Sequence, residues 1–268
     1  MQNLVNALKD HQVILFVGAG VSRNLGLPSF GELIDHLAED LGFDAELFGL
    51  FGDYLALAEY YRIKKGSLGP LRSWLDRKWH TGVDISKSRV HELIVRLQCP
   101  IIYTTNYDRW LESAHQHYGV PSRKIVSVGD LPQVRGDMVQ IVKYHGDFDD
   151  DNSIVLTESS YFDRLSFDGP LDLKLRADAL GRTILFIGYS LTDINIRYLL
   201  YKIHLQWEQS AWAKVRPRSY VFLARPNPVQ EDILKERGIT SFVSERDDPG
   251  KGLEDFLEQL ARNAFGSA

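Results

Sequence analysis

The chain has 268 residues, a formal net charge of -5 and one cysteine, Cys99. One thiol excludes an internal disulfide or a four-cysteine zinc site, and the acidic balance argues against direct nucleic-acid binding by a free-standing domain. With 44% hydrophobic and 25% charged residues, the chain can bury a sizeable core and is not disordered.

The first dozen residues, MQNLVNALKDHQ, lack the basic segment and apolar core of a secretory signal. No apolar run approaches the roughly 20 residues of a membrane span. The expected setting is therefore reducing and cytoplasmic, with no membrane contact. Residues 2–10 predict a short helix with Leu4, Val5 and Leu8 on one side. Val13–Val17, VILFV, predict a strand buried on both faces of a parallel sheet. Gly18, Ala19, Gly20 and Ser22 follow at once. Small residues there let the backbone turn sharply and leave amide groups for an anion.

After a loop at 24–30, helices are predicted over 31–41, 46–65 and 68–79, with no strand between them. The stretch of about 40–85 reads as a helical insertion beside the sheet. A helix over 88–97 is stopped by Pro100, and Ile101–Tyr103 make a short strand ending in TTNYD, 104–108. A helix over 108–118 follows. Val126 and Val128 are placed in a strand, and Met138–Tyr144 in another ending at His145–Gly146. Helices are expected over 157–165 and 170–181. Thr183–Ile187 predict a second buried strand, closed by GYSLTD at 188–193, with Asp193 as a cap for a helix reaching about Trp207. Strands at 218–224 and 239–243 alternate with helices at 228–237 and 250–264. This order predicts one α/β domain over 1–268, a Rossmann-like, doubly wound, mainly parallel sheet with helices on both faces.

Each polar cluster has a modest reading by itself. The glycine turn lacks the third glycine of a dinucleotide fingerprint, since Arg23 stands there, so it also reads as a tight connection. Asn106 and Asp108 offer an amide and a carboxylate to grip a carboxamide or orient a water. Asp108 equally suits a helix cap. His145 suits either a base near neutral pH or a satisfied structural histidine. Taken together, four strand ends carry such clusters, and parallel strands bring them to one edge.

In that order GAGVS, GLPSF, TTNYD, HG and GYSLTD resemble the sirtuin (SIR2) superfamily, with its bacterial SIR2-like branch of anti-phage defence as the nearest match. The resemblance runs from residue 13 to about 193. It implies NAD+ as substrate. Gly18, Ala19, Gly20 and Ser22 then match the loop that holds the phosphates, and Pro28 and Phe30 the loop beside the nicotinamide. Thr105 stands where Gln is usual. Asn106 matches the catalytic asparagine at the nicotinamide ribose, Asp108 the residue at the carboxamide and His145 the catalytic histidine. Gly188 and Ser190 match the adenosine side. Ser29 and Gly31 replace an aspartate and an arginine common in deacylating sirtuins, and DFDDDNSIVLTESSYF follows the HG pair without the paired cysteines of their zinc module.

The resemblance therefore implies a zinc-free NAD+ glycohydrolase, a regulated effector that depletes NAD+. A protein deacylase or ADP-ribosyltransferase, and a non-catalytic NAD or ADP-ribose sensor, are the competing readings. Regulation implies a homo-oligomer or a separately encoded sensor: an Argonaute-type protein, a HerA-type ATPase or a nucleotide-sensing partner. Two surfaces are candidates for that contact. One is segment 46–80 with Phe48, Phe51, Tyr54, Tyr60, Tyr61, Trp74 and Trp79. The other is the stripe Leu253, Phe256, Leu257 and Leu260; both also read as cover for the core.

Overall fold

A computed structural model describes residues 1–23, 25–27, 30–80, 82–150, 153–189, 194–209, 211 and 216–266, without the side chains of residues 30, 80 and 195. Seven strands form one sheet: β1 (Val13–Val17), β2 (Ile101–Thr104), β3 (Ser122–Ile125), β4 (Val139–Lys143), β5 (Thr183–Ile187), β6 (Ser219–Leu223) and β7 (Ile239–Val243). Their order is β3-β4-β2-β1-β5-β6-β7, and every pairing is parallel. The chain steps from β1 toward β3 on one side and toward β7 on the other, so the topological switch point lies between β1 and β5.

The sheet is covered on both sides because its central strand, β1, is apolar and buried at every position. Val13, Leu15 and Val17 enter one core with α1 (Gln2–Lys9), α7 (Arg89–Arg96) and α13 (Pro249–Phe265). Ile14 and Phe16 enter the other, with α10 (Pro170–Gly181), α11 (Ile194–Glu208) and α12 (Pro228–Glu236). The α13 stripe Leu253, Phe256, Leu257 and Leu260 is buried in the first core. That stripe covers the sheet, and the candidate contact surface there is withdrawn. Burying four such side chains stabilises by about 1.5–3 kcal/mol each.

Between β1 and β2 lie α2 (Ala19–Arg23), α3 (Phe30–Leu41), α4 (Ala45–Gly49), α5 (Tyr54–Lys65) and α6 (Gly69–His80). The single helix expected over 46–65 is two, because Asp53 caps α5 by accepting from Leu55 and Ala56 N–H at 3.0 Å. Leu33, Leu37, Phe48, Tyr61, Leu71 and Leu75 form a third core, joined by Phe148, Ile154 and Leu156. Phe48 and Tyr61 are thus interior, while Phe51 is exposed.

One strand is displaced from its expected position. Ser122–Ile125 pair with Val139–Val142, and Val128–Gln133 form a 3-10 helix whose Asp130 accepts from Val126 and Ser127 N–H at 2.9 Å. That local bonding removes Val126 and Val128 from the ladder. Among the described residues the remaining helices are α8 (Trp110–His117), α9 (Glu158–Leu165) and a short 3-10 helix at Ile85–Lys87.

Candidate active site

Register brings four strand ends level. Val17 pairs with Thr104 on one side and Ile187 on the other, and Thr104 pairs with Lys143. The residues that follow leave the sheet on one edge in the order His145, Asn106, Gly18–Gly20, Gly188. Neighbouring strands lie about 4.8 Å apart, so the sequence clusters become spatial neighbours. Among the expected site residues, Pro28, Ser190 and the side chain of Phe30 lie outside the described residues, as does the cap Asp193.

The glycine turn is closed on itself. Gly18 N–H donates to Ile187 O and Gly20 N–H to Gly188 O, both at 2.9 Å. A Cβ would fall 2.6 Å from Gly188 O at position 18, 2.9 Å from it at position 20, and 2.8 Å from Gly18 O at position 188, where φ is +71°. These glycines let two backbone turns cross at the switch point. Two amides expected to be open for an anion are therefore occupied, and the tight-connection reading holds for them. Tyr189 lies over the turn; its hydroxyl donates to Val17 O at 3.0 Å and bonds Thr105 Oγ1 at 3.0 Å.

Asn106 is fixed from three directions. Its N–H donates to Thr104 Oγ1 at 3.0 Å, and its Nδ2 donates to Gly18 O at 3.2 Å and Ser22 Oγ at 3.0 Å. Because Gly18 O can only accept, the nitrogen must face the glycine turn. Oδ1 is then buried with no hydrogen-bond partner among the described residues. Asp108 does serve as a cap: its Oδ1 accepts from Trp110 N–H at 3.1 Å.

His145 is fully buried, stacked on Tyr144 and met edge-on by Tyr161. Its Nε2 has no hydrogen-bond partner among the described residues. Burial, and next the Arg164 charge, pull its pKa down to about 3, so the ring is neutral at pH 7. Gly146 turns the chain at φ +91°, where a Cβ would fall 2.1 Å from Ser153 O.

Beneath these residues lies a charge cluster that single motifs do not announce. Lys143 is fully buried; its Nζ donates to the Asp108 carbonyl and pairs with Glu112 and Asp147, each at 3.5 Å. Burial raises the Glu112 pKa. Arg109 joins Asp76 of α6 to Asp149, at 2.8 and 2.7 Å. Tyr107 donates to Val155 O at 2.6 Å and stacks on Trp79. Helix α6 thereby braces Tyr107 and Arg109, which in turn hold Val155 and Asp149. The one available signal was Lys143, a charged residue at the end of the strand VQIVK.

A fully parallel, doubly wound sheet with an amide and an imidazole on its carboxyl edge is a Rossmann-like α/β protein. Residues 100–242, more than half the chain, match the SIR2-like domain family, and the chain belongs to that family. Relatives include an NAD(+) hydrolase ThsA of Enterococcus faecium, 32% identical over 72% of this chain and 40% of that protein. Another ThsA, from Bacillus cereus (strain MSX-D12), is 26% identical over 87% and 48%. Defense-associated sirtuin 2 of Bacillus subtilis is 25% identical over 87% and 23%. The chain spans about half or less of the length of these relatives. A Sir2 homologue solved with NAD shares the fold at TM-score 0.52 and 12% identity, over 98% of this chain and 95% of that one. A Sir2 homologue mutant solved with ADP-ribose does so at TM-score 0.51 and 12% identity, over 98% and 97%.

Proposed function

We propose that this chain is an NAD+ glycohydrolase, an NAD+-depleting effector of anti-phage defence. One observation carries the proposal. Asn106 Oδ1 and His145 Nε2, on adjacent strand ends, are both buried polar atoms without a hydrogen-bond partner among the described residues. Buried polar atoms are normally paired, so a ligand that brings hydroxyls is the natural complement. The names of the ThsA relatives supply that ligand's identity.

The chemistry follows from the substrate's charge. The nicotinamide nitrogen is cationic, so the ribose C1′–N bond breaks with the electron pair leaving on neutral nicotinamide. C1′ gains oxocarbenium character. Water oxygen bonds C1′ and releases one proton, giving ADP-ribose. Asn106 Oδ1 accepts from that water or a ribose hydroxyl, with its amide held rigid by Gly18 and Ser22. Neutral His145 accepts from a neighbouring hydroxyl. Asp108 has one oxygen committed to the helix cap, and the other is assigned to the carboxamide N–H. Thr105 and Gly188 border the same edge, and Ala19 stands at the exposed start of α2. Residues 1–268 are read as one NAD+-binding unit working with an oligomeric or sensor partner.

Nicotinamide release from NAD+ tests this. Asn106→Ala and His145→Ala are each expected to lose about 100-fold or more while remaining folded. Parental rates in both variants would refute the assignment.

A further inference from the structure

Tyr144, the residue before the imidazole, is held at both ends. Its hydroxyl donates to Asp172 Oδ1 at 2.5 Å, and its carbonyl accepts from Arg164 Nη2. Arg164 Nη1 donates to the same Asp172 oxygen at 3.1 Å. The guanidinium also lies over the Tyr144 ring, 4.5 Å from its centroid. Asp172 is anchored in turn, its Oδ2 accepting from Gly169 N–H at 3.0 Å. A planar guanidinium can donate in two directions while its face covers a ring, which an ammonium cannot do.

The carbonyl that Arg164 grips belongs to the peptide joining Tyr144 to His145. We propose that Arg164 is a positioning residue for the reaction, fixing through the Tyr144 carbonyl the peptide from which the His145 imidazole projects. This rests on the NAD+-hydrolysis reading of the site and adds a residue from α9 to it. The same side chain acts electrostatically. After burial, its charge is the second influence holding His145 unprotonated. The other groups against the ring are Tyr144, the preceding residue, and Tyr161 from α9, while Asp172 from α10 pairs with Arg164. Loss of the guanidinium removes a positive charge that opposes the imidazolium, so His145 takes up a proton more readily.

The test combines histidine-ring NMR titration, assigned with His145→Gln, and the pH profile of nicotinamide release. Arg164→Gln is expected to raise the His145 pKa by about one unit or more and to shift the acid limb upward with it. Arg164→Lys keeps the charge but cannot hold carbonyl and carboxylate together. It is expected to leave the His145 titration low and to reduce kcat about tenfold with KM little changed. A parental kcat in Arg164→Lys, or an unmoved His145 titration in Arg164→Gln, overturns the proposal. If Arg164→Gln fails to fold, the kcat of Arg164→Lys decides. If the parent releases no nicotinamide, the hydrolase reading fails, whereas the titration still decides whether Arg164 governs His145.

Discussion

At the ends of β1 and β5 the backbone bonds to itself, through Gly18, Gly20, Ile187 and Gly188. At the ends of β2 and β4 two side chains present buried polar atoms with no hydrogen-bond partner among the described residues, Asn106 Oδ1 and His145 Nε2. The first half is closed by the absence of side chains, and the second owes its chemistry to them. Asn106 joins the halves, since its amide nitrogen donates to Gly18 and Ser22. The contrast teaches that glycine motifs at a switch point can serve backbone crossing as much as ligand contact, while side chains at the neighbouring strand ends leave buried polar atoms unpaired among the described residues.

Four measurements would break or sharpen that contrast. Lys143→Met should have the largest effect, about 3–5 kcal/mol by denaturant unfolding, because Glu112 and Asp147 lose their buried counter-ion. A loss under 1 kcal/mol would mean that the β2–β4 half does not rest on that cluster. Gly188→Ala should cost about 3 kcal/mol, from a positive φ and a Cβ 2.8 Å from Gly18 O. A variant of parental stability would show that the β1–β5 crossing is loose.

Acid should act next. Burial lowers His145 to about 3 and His91 to about 4, from 6.5. The unfolded chain then binds protons that the folded chain refuses, so both contributions are complete above pH 6.5. Each is lost as pH falls below that value, His91 down to about 4 and His145 to about 3. The slope is at most about 1.4 kcal/mol per pH unit per histidine. Glu59, opposed by burial but drawn to about 2 by bonds from Arg62 and Ser159, adds only below 4.5. Thermal melts from pH 7 to 4 should fall steadily, and His91→Gln should flatten the slope. A flat parental profile contradicts neutral, buried imidazoles. The smallest effect belongs to Ser22→Ala, about 1 kcal/mol in stability. It should also lower kcat several-fold as the Asn106 amide loses one of its two acceptors, and an unchanged kcat would separate the two halves functionally.

Much of this was legible in the residues. The apolar runs at 13–17 and 183–187 specify strands buried on both faces, and small or polar residues after them mark strand ends. The two-sided parallel sheet followed from that pattern, as did the shared edge. Val126 and Val128 were misplaced because β-branched residues favour a strand only where the ladder is free, and Asp130 ties that backbone locally. The α13 stripe could equally have met a partner or the core, since periodicity gives a face but not what it meets.

Local pattern thus determined the alternating elements, the strand ends and the order of the motifs, because helix and strand periods are properties of neighbouring residues. Only the tertiary structure decided which amides of the glycine turn were already bonded, which atoms of Asn106 and His145 were left without partners, and that Lys143, Glu112, Asp147 and Arg164 stand behind them. Those outcomes depend on contacts between residues tens of positions apart, and burial, which sets their strength, exists only once the sheet is assembled.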